Sequence, residues 1–156
     1  MHKQIKIILI VSCSFLLFSC GFKKINEKKV DFNFQNVNVI GDKRSAYILK
    51  NNILLISNKN SPNEYDVELK IIKDKVVKIK NSKGRITRYN LNISTNLTLT
   101  NIKNNKIVKR NFSKNFSYNV GSTHSETINN EKNATKSLNE QLSSEIINFI
   151  TLYIKK

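Results

Sequence analysis

Cysteine is nearly missing from this chain: two residues in 156, at Cys13 and Cys20. A disulfide-stapled scaffold is excluded, and the fold must be held by packing alone. Glycine is scarce as well, with four residues and none clustered, so no glycine-rich loop can cradle phosphates. There is one proline and no tryptophan. Histidine is limited to His2 and His124. His124 has no companion ligand at metal-binding spacing and no cysteine or serine partner for nucleophilic chemistry, so it reads as a solvated residue at a helix start. Acids are few and scattered, and Asp66 and Glu68 fall on the wet side of an alternating strand. No catalytic site, metal or cofactor is expected.

The shortage of acids has a counterpart. Lysine and arginine number 27 against 11 acids, a formal charge of +16. Such an excess calls for an anionic partner, whether nucleic acid, a lipid surface or a phosphorylated glycolipid, although a lysine- and asparagine-rich composition from AT-biased codons gives the same figure.

Long apolar runs are confined to the start. Lys3 and Lys6 precede a stretch from Ile7 to Phe18 that is almost wholly apolar. This is the n-region and h-region of a secretory signal, and it falls short of the ~20 residues that span a bilayer. It ends in Leu17-Phe18-Ser19-Cys20, a small residue directly before a cysteine. That is the pattern of a bacterial lipoprotein signal; an ordinary signal cleaved nearby, or a short uncleaved anchor, is the plainer alternative. Residues 1–19 are then a removed signal, Cys20 a lipidated N-terminus, 20–31 a polar tether, and 32–156 a single domain. The mature chain keeps a charge of +14, since Lys3 and Lys6 leave without an acid. Gly21, in place of an aspartate after the cysteine, favours the outer membrane over the inner. For an exported lipoprotein, nucleic acid is the least fitting anionic partner.

Within the domain, Phe32 to Ile40 predicts a strand ending at Gly41. Asp42 suits a helix cap, and Ala46, Leu49, Ile53 and Ile56 recur at helical steps, although Ile53-Leu54-Leu55-Ile56 is also compatible with a strand. Asn58 to Asn63 breaks the chain. Tyr65, Val67, Leu69 and Ile71 then alternate with polar residues in a strand reaching about Lys80; Tyr89 to Leu99 gives a second, and Phe112 to Val120 a third. Turn residues at 81–84 and 103–106 join them into an antiparallel meander. Thr123 and Glu126 resemble a capping box for a last helix to Tyr153, with a loose start because 129–133 is polar. The expectation is an α+β fold, β-α-β-β-β-α, with two helices packed on one face of a four-stranded, mostly antiparallel sheet.

One charged cluster stands out. Lys78, Lys80, Lys83, Arg85 and Arg88 converge on the turn between the first two meander strands. They form either a grip for phosphates or carboxylates, with arginine supplying forked donors, or an ordinary solvated hairpin tip.

Taken together, the cysteine motif followed by Gly21-Phe22, Arg44 to Leu55, Tyr65-Asp66-Val67-Glu68-Leu69 and the span Tyr118 to Tyr153 with Glu131, Ala134, Leu138 and Ile146 resemble LptE, the LPS-assembly lipoprotein family, in its alphaproteobacterial form. Lys23 and Lys24 depart from it, standing where many relatives have proline and an aromatic residue. The resemblance implies a non-enzymatic protein on the periplasmic face of the outer membrane, held there by its lipid anchor. It implies that the chain plugs the LptD β-barrel, assists its assembly and helps carry lipopolysaccharide to the cell surface. Basic residues of that family touch lipid phosphates, which makes Lys80, Lys83, Arg85 and Arg88 the candidates here. The rival classes are the auxiliary lipoprotein of a lipid-transport ABC system and a structural envelope lipoprotein without cargo.

Overall fold

A computed structural model describes residues 30–155. The expected signal, the lipidated Cys20 and all but the last two residues of the tether lie outside the described residues. The elements run β1 (Asn33–Ile40), α1 (Lys43–Leu55), β2 (Glu64–Lys80), β3 (Ile86–Asn101), β4 (Ile107–Asn119) and α2 (His124–Ile154). This is the expected α+β order, on one mixed sheet whose strands lie in chain order, β1-β2-β3-β4.

β1 and β2 are parallel, with α1 as the crossover between them, while β2, β3 and β4 form an antiparallel meander. Alternation builds the layers. Tyr65, Val67, Leu69 and Ile71 of β2 are buried, as are Leu91, Ile93, Leu97 and Leu99 of β3 and Phe112 and Tyr118 of β4. The register lines these up in rows, Leu69 opposite Leu97 and Tyr89 opposite Tyr118. Both helices cover this face: Leu49 and Ile53 of α1 join Ala134, Leu138, Leu142, Ile146 and Ile150 of α2 in the same core.

The ambiguous run at Ile53 is helical, since Leu49 and Ile53 sit one turn apart and are both fully buried. Asp42 caps α1, its carboxylate accepting from the Ser45 N–H at 2.9 Å and the Ser45 hydroxyl at 2.8 Å. Burial works against its charge, but these two bonds together with the nearby Lys73 and Arg44 hold the carboxyl below its usual range. Asp42→Ala should cost about 1 kcal/mol in urea unfolding, the ordinary loss of an N-cap.

The last helix departs from expectation: it starts firmly at His124. Thr123 Oγ1 accepts from the Glu126 N–H, and Gly121 N–H donates to Thr127 Oγ1. Glu126 turns back one residue further than a capping box requires, accepting from the Ser122 N–H at 2.7 Å and hydroxyl at 2.9 Å. The polar stretch after it is anchored to the sheet through Glu131, which bonds to Lys75 of β2 and Tyr118 of β4. β4 also begins earlier, at Ile107, than its aromatic residues indicate.

Candidate functional site

The β2–β3 hairpin is closed by one asparagine. Asn81 N–H donates to the Arg85 carbonyl, its own carbonyl accepts from Gly84 N–H, and its side-chain Oδ1 accepts from the N–H groups of Lys83 and Arg85. Gly84 takes a φ of 75°, which a glycine adopts without penalty. This turn places Lys80, Lys83 and Arg85 together at the tip, all exposed. Lys78 and Arg88 are drawn away from it. Lys78 Nζ donates to Ser117 Oγ at 2.7 Å, and Arg88 Nε to Asn119 Oδ1 at 2.9 Å. Both partners are neutral side chains of β4, so each cation is tied to the neighbouring strand by a hydrogen bond and not by an ion pair. The five expected cations thus divide into three at the tip and two at its base.

Below the tip, the face turned away from the helices is a ladder of amides and hydroxyls. Ser117 Oγ donates to Asn90 Oδ1, Ser113 Oγ to Asn92 Oδ1, and Asn111 Nδ2 to Asn96 Oδ1 at 2.6 Å. The sequence pattern marks these residues as wet but not as cross-strand pairs. Paired to one another, they form a flat polar surface with spare donors and acceptors.

On the helix side, one acid organises the hairpin stem. Glu131 receives the Lys75 ammonium at 2.8 Å, the Tyr118 hydroxyl at 2.9 Å and the Lys73 ammonium at 3.6 Å. Lys75 also sits over the Tyr89 ring, 5.1 Å from its centroid, and Tyr89 packs on Tyr118. The Lys75 hydrogen bond holds the Glu131 carboxyl below its usual range against the pull of burial, with Tyr118 and Lys73 adding to it. Burial and then the Glu131 bond push the Tyr118 phenol far up. Sequence reading picked out Glu131 only as part of the family likeness. Its role as a junction needs Lys75, 56 residues away, and no local pattern carries that.

Glu131 is depressed in the folded state, so its contribution is present above the unfolded value near 4.5 and is lost as pH falls through the lower folded value. Glu131→Gln should remove roughly 2 kcal/mol at neutral pH, since the bonds it accepts are charge-assisted. It should also flatten the acid limb of a stability–pH curve, and an unchanged limb would show that Glu131 does not set it.

Between the helices, a groove of about 380 Å³ is lined by Arg44, Ile48, Asn52, Lys132, Lys136 and Glu140. Its charge is partly offset by Glu140, 3.8 Å from Lys136. His124 is exposed at the start of α2. Among the described residues no cluster of three or more His, Cys, Asp or Glu could hold a metal, and no helix is long and apolar enough to cross a membrane.

The architecture defines a class before any particular relative: a small two-layer domain with α1 crossing between parallel strands and a long final helix lying on a meander. Solved structures of lipoproteins share it. The rare lipoprotein B of Shewanella oneidensis superposes with a TM-score of 0.56 at 9% identity, over 74% of this chain and 92% of that one. A chain from Caulobacter crescentus described as a lipoprotein gives 0.53 at 15% identity, over 76% of this chain and 90% of that one. The uncharacterized lipoprotein B of Nitrosomonas europaea gives 0.52 at 12%, over 81% of this chain and 88% of that one. No protein-family model and no curated protein matches the sequence. The likeness is one of fold.

Proposed function

We propose that this chain is an LptE-type lipoprotein, anchored through Cys20 at the periplasmic face of the outer membrane, that plugs an LptD-like β-barrel and takes part in lipopolysaccharide transport. The observation that carries the reading is the fold shared with proteins named lipoprotein B over about three-quarters of the chain. The lipoprotein signal pattern ending at Cys20 supports it independently. The ladder of Asn and Ser on the outer sheet face suits a polar, wet barrel lumen. No step of chemistry is needed: the protein works by occupying space and by presenting cations to phosphate.

Lys80, Lys83, Arg85 and Arg88 are the proposed phosphate contacts. The first three can move freely to a ligand, whereas Arg88 must give up or share Asn119. A triple Lys83→Ala, Arg85→Ala, Arg88→Ala variant should lose about tenfold or more in affinity for lipopolysaccharide at low salt, and the difference should shrink as salt rises. Equal affinity of the two proteins would remove the tip from the site. The wider reading is tested by pulling the tagged protein from its own membranes in mild detergent. A large outer-membrane barrel in about equal amount is expected. Inner-membrane transporter subunits, or no barrel, would sink it.

A further inference from the structure

β2 continues well past the strand beside it. β1 pairs with β2 only between Glu64 and Lys70, whereas β3 follows β2 from Tyr65 to Lys80. From Ile72 onward, β2 therefore has an open edge among the described residues. The backbone groups left there can be identified. Ile102 N–H donates to the Glu64 carbonyl at 3.0 Å, which makes that a hydrogen-bonded pair. Such pairs alternate along an antiparallel ladder, and the register runs without slippage from Tyr65 opposite Asn101 to Val77 opposite Tyr89. Even-numbered residues thus bond to β3. Lys73, Lys75 and Val77 turn their N–H and C=O groups outward.

Side chains along the same stretch are poorly covered. Ile72, Val76, Val77 and Ile79 are 44%, 55%, 44% and 43% exposed. Alternation puts Ile72 and Val76 on one face and Val77 on the other. Lysines on an edge are the usual guard against unwanted pairing, and Lys73, Lys75, Lys78 and Lys80 fit that description. Four exposed apolar side chains on both faces do not, because they reward an added strand.

Charge selects the occupant. The stretch holds four lysines against Asp74, and Glu131 of α2 offsets part of the charge of Lys73 and Lys75, which leaves a net positive edge with Lys78 and Lys80 unopposed by an acid. A second copy would bring the same net positive edge against itself. Residues 20–29 carry Lys23, Lys24, Lys28 and Lys29 against Glu27, and are repelled too. We infer that the open edge of β2 over Ile72–Lys80 takes an extended acidic segment of a partner protein by strand addition, the backbone supplying affinity and the lysines selecting sign. The inference goes beyond the barrel reading and does not rest on it.

The test titrates the full chain with an eight-residue peptide of repeated Glu-Glu-Val-Val, which sets an acid and a valine alternately on each face. Backbone amide shifts centred on Lys73, Lys75 and Val77 are expected. Affinity should fall at least tenfold when alternate peptide amides are N-methylated, when Lys replaces Glu in the peptide, or in the Val77→Pro variant. Val77→Pro deletes an outward N–H and leaves the β3 ladder in place. If that variant does not fold, Lys78→Glu with Lys80→Glu gives the same comparison. No binding, equal binding of the N-methylated peptide, or shifts centred elsewhere would each overturn the inference. So would self-association of the chain that Val77→Pro abolishes.

Discussion

Gly41→Ala should remove about 4 kcal/mol or more of stability, enough to unfold much of a domain whose total lies in the usual range of roughly 5–15 kcal/mol. Gly41 ends β1 with a φ of 125°, a region L-residues scarcely enter. A Cβ there would run into the main-chain carbonyl of Ile71. Relief cannot come from a rotamer, because the obstacle is backbone. It requires β1 to move off β2, and α1 begins only two residues later, so Leu49 and Ile53 would leave the core with it. Gly84 provides the comparison. It also has positive φ, 75°, but a Cβ there meets nothing within 4 Å among the described residues. Gly84→Ala should cost only about 1 kcal/mol, the backbone preference alone. Urea unfolding followed by circular dichroism separates the two, and a Gly41→Ala loss as small as that of Gly84→Ala would mean that the approach to Ile71 is not tight.

Gly41 also shows where sequence reading stops. The residue is visible as a strand end, and Tyr65 to Ile71 and Tyr89 to Leu99 announce their buried faces by simple alternation, because each has a core on one side and water on the other. What fails is whatever depends on a partner far along the chain. The polar 129–133 segment reads as a loose helix start from composition, yet Glu131 is bonded to Lys75 and Tyr118 and the helix is firm. The pattern places the start of the third meander strand at Phe112, since the edge strand β4 has little to bury before it; pairing with β3 carries the strand back to Ile107. The basic tip is legible because turn chemistry and charge are both local. That Lys78 and Arg88 are tied to Ser117 and Asn119 is not.

Leu142→Ala should cost about 3–4 kcal/mol, and its neighbour Asn139→Leu should move stability the other way. Leu142 has no exposed surface and sits in the row Leu138, Leu142, Ile146, Ile150. Truncation there removes a fully buried side chain and leaves a cavity that two helices and a sheet cannot easily close, for which losses run roughly 2–5 kcal/mol. Asn139 is equally buried, but neither its Nδ2 nor its Oδ1 has a partner among the described residues. Thr135, Asn139 and Ser143 lie four residues apart on one stripe of α2, and Ser143 accepts from Asn52 of α1. Thr135 satisfies itself on the Glu131 carbonyl. Only the middle member is left without a bond. An unsatisfied buried amide costs about 1–3 kcal/mol, and an apolar side chain of similar shape escapes that cost. Asn139→Leu should therefore raise the urea midpoint, with an unchanged slope because the exposed surface on unfolding is the same. A fall in the midpoint would instead show that the amide contributes a bond within the core. Leu142→Ala, made in both backgrounds, then tests whether the two helices are held by the leucine row alone: additive effects mean they are, and a larger loss in the Asn139→Leu background means that the new leucine packs on Leu142.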